Sequence, residues 1–308
     1  MVCMHDVVIV GGGPAGFTAA LYCARAKLDT LLIERMFSGG QMATTYLMEN
    51  YPGFEEPISG PDLAIRMENQ ARKFGALIVN DDVIDLQLED KIKTVRTKNN
   101  SYRSKAVILS MGASPRELGI PKEKEFRGAG VSYCATCDGA FYKDKIVAVV
   151  GGGDTAAEDA LYLTRFCPKI YIIHRRDSMR AAKMLQDELL NNKKVEFMWD
   201  SKVEEIIGRY GVEGVKVRNL KTNELRDVQV EGIFVAIGMV PNTELVKGKV
   251  LLNESGYVVT DDKMQTNIPG VYAAGDIREK VLRQAITAAS DGAVAAYMAE
   301  RYINENKL

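Results

Sequence analysis

The apolar residues of this chain gather into short β-branched or aliphatic runs set off by glycine. DVVIVGGGPAG (6–16) and KIVAVVGGGDTAAE (145–158) each lead from such a run into a glycine-rich turn. FTAALYCARAK and DALYLTRF follow as helix-like stretches, and TLLIE (30–34) and IYIIH (170–174) return the chain to strand. The pattern predicts a strand–helix–strand unit, twice.

Later segments repeat too. AVILSMGASPR (106–116) and GIFVAIGMVPN (232–242) share an apolar strand, a glycine and then a proline. VYAAGD (271–276) ends in glycine and precedes the helix-like RQAITAASDGAVAAYMAERYI, but lacks the first half of a strand–helix–strand unit. It reads as the return of the chain to its first domain. The expected fold is therefore α/β: two Rossmann-like nucleotide-binding domains of the three-layer ββα type, one inserted into the other. Proline and polar residues cluster near 113–117 and 243–248. They set the expected bounds at 1–115 with 246–308, and 116–245.

A length of 308 residues suits about two domains. A net charge of −1 gives no reason to expect a nucleic acid or an anionic membrane as partner. No run approaches the roughly 20 apolar residues that span a bilayer, and MVCMHD leads into the first strand without a basic, then apolar, leader. A cytoplasmic protein is expected. Five cysteines do not make a disulfide scaffold.

The glycine loops differ in what they suit. Gly11, Gly13 and Gly16 fit G-x-G-x-x-G, in which glycines allow a tight turn, close approach to a pyrophosphate and helix–strand packing. The following helix start offers N–H donors and partial positive charge. Glu34, ending the next strand, suits the hydroxyls of a free ribose. Gly151, Gly153 and Ala156 form the alanine variant of the loop. There His174 replaces the carboxylate, and Arg175, Arg176 and Arg180 follow. Guanidiniums suit a 2′-phosphate, so this loop is expected to take NADPH. A solvated basic surface is the plainer alternative.

SYCATCDGAF (132–141) adds Cys134-x-x-Cys137. A structural zinc commonly needs four ligands, and Cys3, Cys23 and Cys167 are isolated, more in keeping with small apolar residues; no metal is expected. A redox dithiol needs paired sulfurs, a stabilised thiolate and a route for protons. Asp138 is the candidate acid/base, although Asp138-Gly139 is also a strong turn pair. Hydride chemistry on one side and a dithiol on the other call for a flavin between them, which makes the first dinucleotide FAD.

GGGPAG, SGGQ, ENYPGF, CATCDG, GGGDTAAE, HRRD, GVYAAGD and RQAITAASDG occur in that order over essentially the whole chain, which resembles low-molecular-weight thioredoxin reductases. The resemblance implies a homodimeric FAD enzyme that reduces thioredoxin with NADPH. It assigns Cys137 to face the flavin, Cys134 to attack the thioredoxin disulfide and Asp138 to handle protons. It also implies FAD contacts at Gly11, Gly13, Pro14, Ala15, Gly16, Glu34, Gly40, Gln41, Asn50 and Gly112. Further along, Gly275, Asp276, Arg283, Gln284 and Ala285 join them, the last two opening the final helix. NADPH contacts fall at Gly151, Gly153, Asp154, Thr155, His174, Arg175, Arg176 and Arg180. Phe141 and Tyr142 match positions that face the protein substrate, with core packing as the alternative.

Departures are small: MATTYL stands where several relatives have a threonine run, and Thr155 replaces a common serine. Since the NADPH site and the dithiol both need the flavin, rotation of the inserted domain is expected to alternate them. Alternative readings are a reductase of another thioredoxin-like or peroxidase-linked disulfide, a redox sensor, and a flavin oxidoreductase without dithiol chemistry.

Overall fold

The structure, a computed structural model, describes residues 3–35, 38–45 and 48–307. The chain opens with β1 (Cys3–Val10), α1 (Pro14–Arg25) and β2 (Thr30–Glu34), then α2 (Gly60–Lys73) and β3 (Leu77–Asn80). A meander follows: β4 (Val83–Gln87), β5 (Lys93–Thr97) and β6 (Ser101–Leu109), then β7 (Ala113–Pro115). Next come β8 (Val131–Ser132), α3 (Ala135–Asp138), β9 (Ile146–Gly151), α4 (Asp154–Leu163), β10 (Lys169–Ile173), α5 (Lys183–Leu190) and β11 (Val195–Met198). The strands β12 (Ser201–Ile207), β13 (Gly214–Asn219), β14 (Leu225–Val228), β15 (Gly232–Ala236) and β16 (Met239–Pro241) lead to β17 (Val271–Ala273) and α6 (Ala285–Glu305).

The chain divides into two compact units. One runs to Ser114 and resumes at Val240; the other is Pro115–Met239. The second crossing thus lies at Val240, earlier than the expected 246. Local bonding explains the difference: Asn242 donates from Nδ2 to the Met111 carbonyl at 2.8 Å and from its backbone N–H to Gly112 at 3.0 Å. Val246 is fully buried in the core of the first unit. The two crossings, β7 and β16, pair as a two-stranded ribbon.

In the first unit the sheet order is β3-β2-β1-β6-β5-β4, with β17 also on β6. Strands β3, β2, β1, β6 and β17 are parallel, and β4 and β5 are antiparallel. β1 is apolar on both faces because both are covered. Val7 and Ile9 pack with Phe17, Ala20, Ala71 and Ala299 of the helices. Val8 and Val10 pack with Val83, Leu86 and Val95 of the meander. Small residues let α6 lie close on α1: a Cβ at Gly292 would run into the Ala15 carbonyl.

The inserted unit repeats the plan with a parallel sheet, β11-β10-β9-β15-β8, and an antiparallel sheet, β12-β13-β14. Val147, Val149, Ile170 and Ile172 face α4 and α5, while Ala148, Val150 and Ile173 face Ile206, Val215 and Val217. The expected pair of three-layer ββα domains is the observed fold.

Candidate active site

In the first unit, β1 ends at Gly11, whose φ of +106° is left-handed. A Cβ there would lie 2.5 Å from the Ser110 carbonyl oxygen, so the turn selects glycine. The Gly13 N-cap of α1 is extended and has no capping side chain; Pro14, lacking an N–H, opens the helix. Among the described residues, nothing lies within 4 Å of where a Cβ on Gly13 would stand. The helix start therefore keeps N–H donors suited to an anion. Glu34 accepts the Gly12 N–H through Oε2 at 2.6 Å and the Arg35 N–H through Oε1 at 2.8 Å. The carboxylate is thus fixed beside the loop.

Two other expected contacts, Gly40 and Gly275, lie close to the same helix start. Gly39 donates to the Gly12 carbonyl at 2.7 Å, and a Cβ on Gly40 would lie 3.6 Å from the Gly13 Cα. That places the 3-10 turn Gly40–Thr44, with Gln41, next to the glycine loop. A Cβ on Gly275 would lie 2.9 Å from that of Ala15. Asp276 follows, and its buried Oδ1 has no hydrogen-bond partner among the described residues. Burial raises its carboxyl above the usual range, while Lys280 and Arg283 oppose the rise. Arg283 stacks its guanidinium 4.2 Å from the Tyr257 ring centroid, and its buried Nε has no partner among the described residues. Gln284 caps α6 reciprocally with Thr287 and accepts from Asn50 Nδ2 at 3.1 Å. Ala285 is the first residue of that helix. Gly112 lies at the foot of the crossing, with φ +66°.

In the inserted unit, Gly153 is an extended N-cap without a capping side chain. His174 is 6% exposed, and a Cβ on Gly152 would strike its ring. Burial lowers its pKa, and the charges of Arg176, Arg175 and Arg180 lower it further. Its buried Nε2 has no partner among the described residues. Arg175, Arg176 and Arg180 are exposed. Arg180 donates its backbone N–H to the Gly152 carbonyl at 2.6 Å, folding the basic loop onto the glycine loop. Asp154 Oδ1 accepts the Ala182 N–H at 2.7 Å, so Asp154 anchors that basic loop. Thr155 is exposed at the helix start.

Cys134 and Cys137 form a disulfide, with Cα atoms 5.3 Å apart. Cys134 is the N-cap of the single turn α3 and Cys137 lies within it; the Cys134 carbonyl accepts the Asp138 N–H at 3.1 Å. Asp138 Oδ2 accepts the Ser132 hydroxyl at 2.6 Å. Burial raises the Asp138 carboxyl, and the Ser132 bond opposes that rise. Asp159 on α4 meets the Ala135 N–H; burial lifts it to about 7, helped by the charge of Glu158 and opposed by that N–H. Tyr142 sets its ring edge on Phe234 at 5.0 Å and belongs to the core, the alternative considered for it. Phe141 beside it is half-buried. Cys23 is buried, and buried Cys167 donates to the Tyr142 carbonyl at 3.3 Å. The side chain of Cys3 lies outside the described residues. Among the described residues, no group of three or more His, Cys, Asp or Glu could hold a metal ion, and no helix is long and apolar enough to cross a membrane.

Residues 5–292 match the pyridine nucleotide-disulphide oxidoreductase family. The chain belongs to that family. Among curated proteins it is similar to the thioredoxin reductase of Peptoclostridium acidaminophilum, with 49% identity over 309 residues and 98% of each chain covered. The thioredoxin reductase of Bacillus subtilis is 46% identical over 303 residues, covering 98% of this chain and 96% of the relative. Among solved structures, the thioredoxin reductase of Streptococcus pyogenes is 45% identical, covers 99% of this chain and 100% of its own, and superposes with a TM-score of 0.94. The resemblance drawn from the motifs thus holds over the full length.

Sequence reasoning missed Ser132, Asp159 and Asp291. Ser132 stands two residues before Cys134, the spacing of a hydroxyl that closes a local turn. Asp159 and Asp291 sit in helices, and nothing in their spacing marks the first as half-buried or the second as buried. Asp291 accepts the Gly275 N–H at 3.0 Å and pairs with Lys280 at 2.8 Å.

Proposed function

We propose that this protein is a cytoplasmic, homodimeric reductase that passes electrons from NADPH through FAD to the Cys134–Cys137 disulfide and then to thioredoxin. The observation that carries the reading is the disulfide itself, set between strand and glycine loop in the inserted unit and followed at once by the half-buried Asp138. The residues present suit the two nucleotides. Glu34, the uncapped start of α1 and the unpartnered Oδ1 of Asp276 suit the ribose, pyrophosphate and hydroxylated chain of FAD. The exposed Arg175, Arg176 and Arg180 suit a 2′-phosphate. A bound flavin supplies the conversion of two-electron hydride chemistry into disulfide reduction.

Once two electrons have opened the Cys134–Cys137 bond, the Cys134 thiolate attacks one sulfur of the partner disulfide. That bond breaks, and the departing partner thiolate takes a proton. Cys137 then attacks the Cys134 sulfur, the mixed disulfide breaks, and the partner's second thiolate leaves and is protonated in turn. The Cys134–Cys137 bond is restored, and the partner has gained two electrons and two protons. Asp138, kept protonated to higher pH by burial, is the nearby proton store.

The inserted unit carries the dithiol and the basic nucleotide loop and joins the first unit through two crossings. Its rigid rotation about them would let each reach the flavin in turn. The test is a cross-link that fixes the two units: turnover should stop while one half-reaction survives, and full turnover would refute the rotation. The reading as a whole is tested by NADPH consumption with oxidised thioredoxin. Turnover with a different thioredoxin-like partner alone would favour the alternative substrate.

A further inference from the structure

Ser132 is the last residue of β8 and is 3% exposed. Its Oγ lies 2.6 Å from Asp138 Oδ2, 3.1 Å from the Cys134 backbone N and 3.3 Å from the Cys134 carbonyl oxygen. A serine hydroxyl has one proton to donate and two lone pairs to accept with. The Cys134 N–H takes one lone pair. The single proton then has two acceptors within reach: the Asp138 carboxylate and the Cys134 carbonyl. We propose that Ser132 is a positioning residue of the dithiol, a hydroxyl switch that donates to Asp138 while that carboxylate is ionised and turns to the Cys134 carbonyl once Asp138 takes up a proton.

Both settings leave the hydroxyl satisfied. With Asp138 ionised, Ser132 donates over the short, charge-assisted distance. With Asp138 protonated, the acid O–H donates to the second Ser132 lone pair and the hydroxyl proton moves to Cys134. The protonation state of the carboxyl is thereby written into the hydrogen bonding of the peptide that carries Cys134. β8 cannot drift, because it is paired in register with β15, Ser132 opposite Phe234.

Few other titratable groups bear on Asp138. The 3-10 turn Gly139–Tyr142 contributes the Tyr142 hydroxyl, itself raised by burial to about 12, with Lys145 over its ring at 5.5 Å. α4 contributes Asp159, with Glu158 and Tyr162 beside it. β8 offers no charge. Ser132 is the hydrogen bond that favours the ionised form of Asp138, against the cost of burial.

The inference rests on the disulfide-exchange reading of the Cys134–Cys137 pair, yet its test needs no thioredoxin. The Asp138 carboxyl is titrated in the oxidised holoprotein by infrared difference spectroscopy, with Asp138→Asn identifying the band. Ser132→Ala should move the midpoint upward by about one pH unit or more, the worth of one hydrogen bond to a charged acceptor. Ser132→Thr, which keeps the hydroxyl, should stay near the parent. An unchanged midpoint in Ser132→Ala overturns the proposal. If that variant does not fold, Ser132→Cys replaces it: a weak donor should also raise the midpoint, and no rise overturns the switch. A thioredoxin assay that fails while these shifts appear would instead remove the proposed substrate and leave the switch standing.

Discussion

His174 lies against Gly152, so closely that a Cβ on the glycine would strike the imidazole. In the other unit the matching place belongs to Glu34, which accepts the Gly12 N–H at 2.6 Å. The two glycine loops share a backbone plan and differ in the charge behind it. Arg175→Ala combined with Arg176→Ala should therefore weaken NADPH binding by about tenfold or more, since one hydrogen bond to a charged group is worth about 1.5–3 kcal/mol. NADH binding should change little. Calorimetric titration of both nucleotides checks this, and equal losses would count against a 2′-phosphate site.

Gly11→Ala should cost stability and flavin retention together. Its added Cβ meets the Ser110 carbonyl at 2.5 Å, and its φ is +106°. Gly53, with φ +104° and nothing within 4 Å of a built Cβ, is the control for strain alone. Overpacking adds about 1–3 kcal/mol, so the unfolding midpoint of Gly11→Ala should fall below that of Gly53→Ala, and only Gly11→Ala should release flavin on desalting.

Asp159 makes stability depend on pH in a definite direction. Its carboxyl is raised from 3.8 to about 7 in the folded chain, so between those values the folded state holds a proton that the unfolded state has lost. Stability then declines as pH rises through that window. Urea midpoints of Asp159→Asn should vary less between pH 5 and 8 than those of the parent protein. An unchanged slope would show that Asp159 does not titrate there.

Asp291→Leu should be far more damaging than a surface change. Its carboxylate pairs with Lys280 at 2.8 Å and Arg278 at 3.4 Å, with the lysine side chain only 7% exposed. Leaving a buried cation without its partner costs about 3–5 kcal/mol. The Gly275–Asp276 turn loses its anchor as well, so flavin content of the purified variant should drop along with its melting temperature.

Cys134→Ser should separate the two half-reactions. NADPH should still bleach the flavin, while reduction of a protein disulfide stops, because the sulfur assigned to the partner is gone. Stopped-flow absorbance and an insulin-coupled thioredoxin assay read the two steps. Retained thioredoxin reduction would reassign the attacking sulfur.

The layered fold was legible because β1 from Val7 to Val10 and β9 are apolar at successive positions, as covering on both faces requires, and both lead into glycine loops. The return crossing was less so: PNTELV (241–246) looks like a linker, and only tertiary bonding of Asn242 and burial of Val246 put it inside the first unit. At the site, Cys134, Cys137 and the arginine cluster announce themselves by spacing and charge. Asp154 has a structural part that its place in the glycine loop does not announce: its carboxylate accepts the Ala182 N–H. Ser132 and Asp159 escape notice because their roles come from what folds around them, a strand end in one case and a neighbouring helix turn in the other.

The most direct measurement counts thiols at Cys134 and Cys137 by mass spectrometry after alkylation under anaerobic conditions. The flavin-loaded protein would be sampled alone, after one equivalent of NADPH, and again after oxidised thioredoxin. The expected sequence is a disulfide, then two alkylated cysteines, then the disulfide restored with two thiols on thioredoxin. A pair that stays oxidised in NADPH, or stays reduced when thioredoxin arrives, would contradict it.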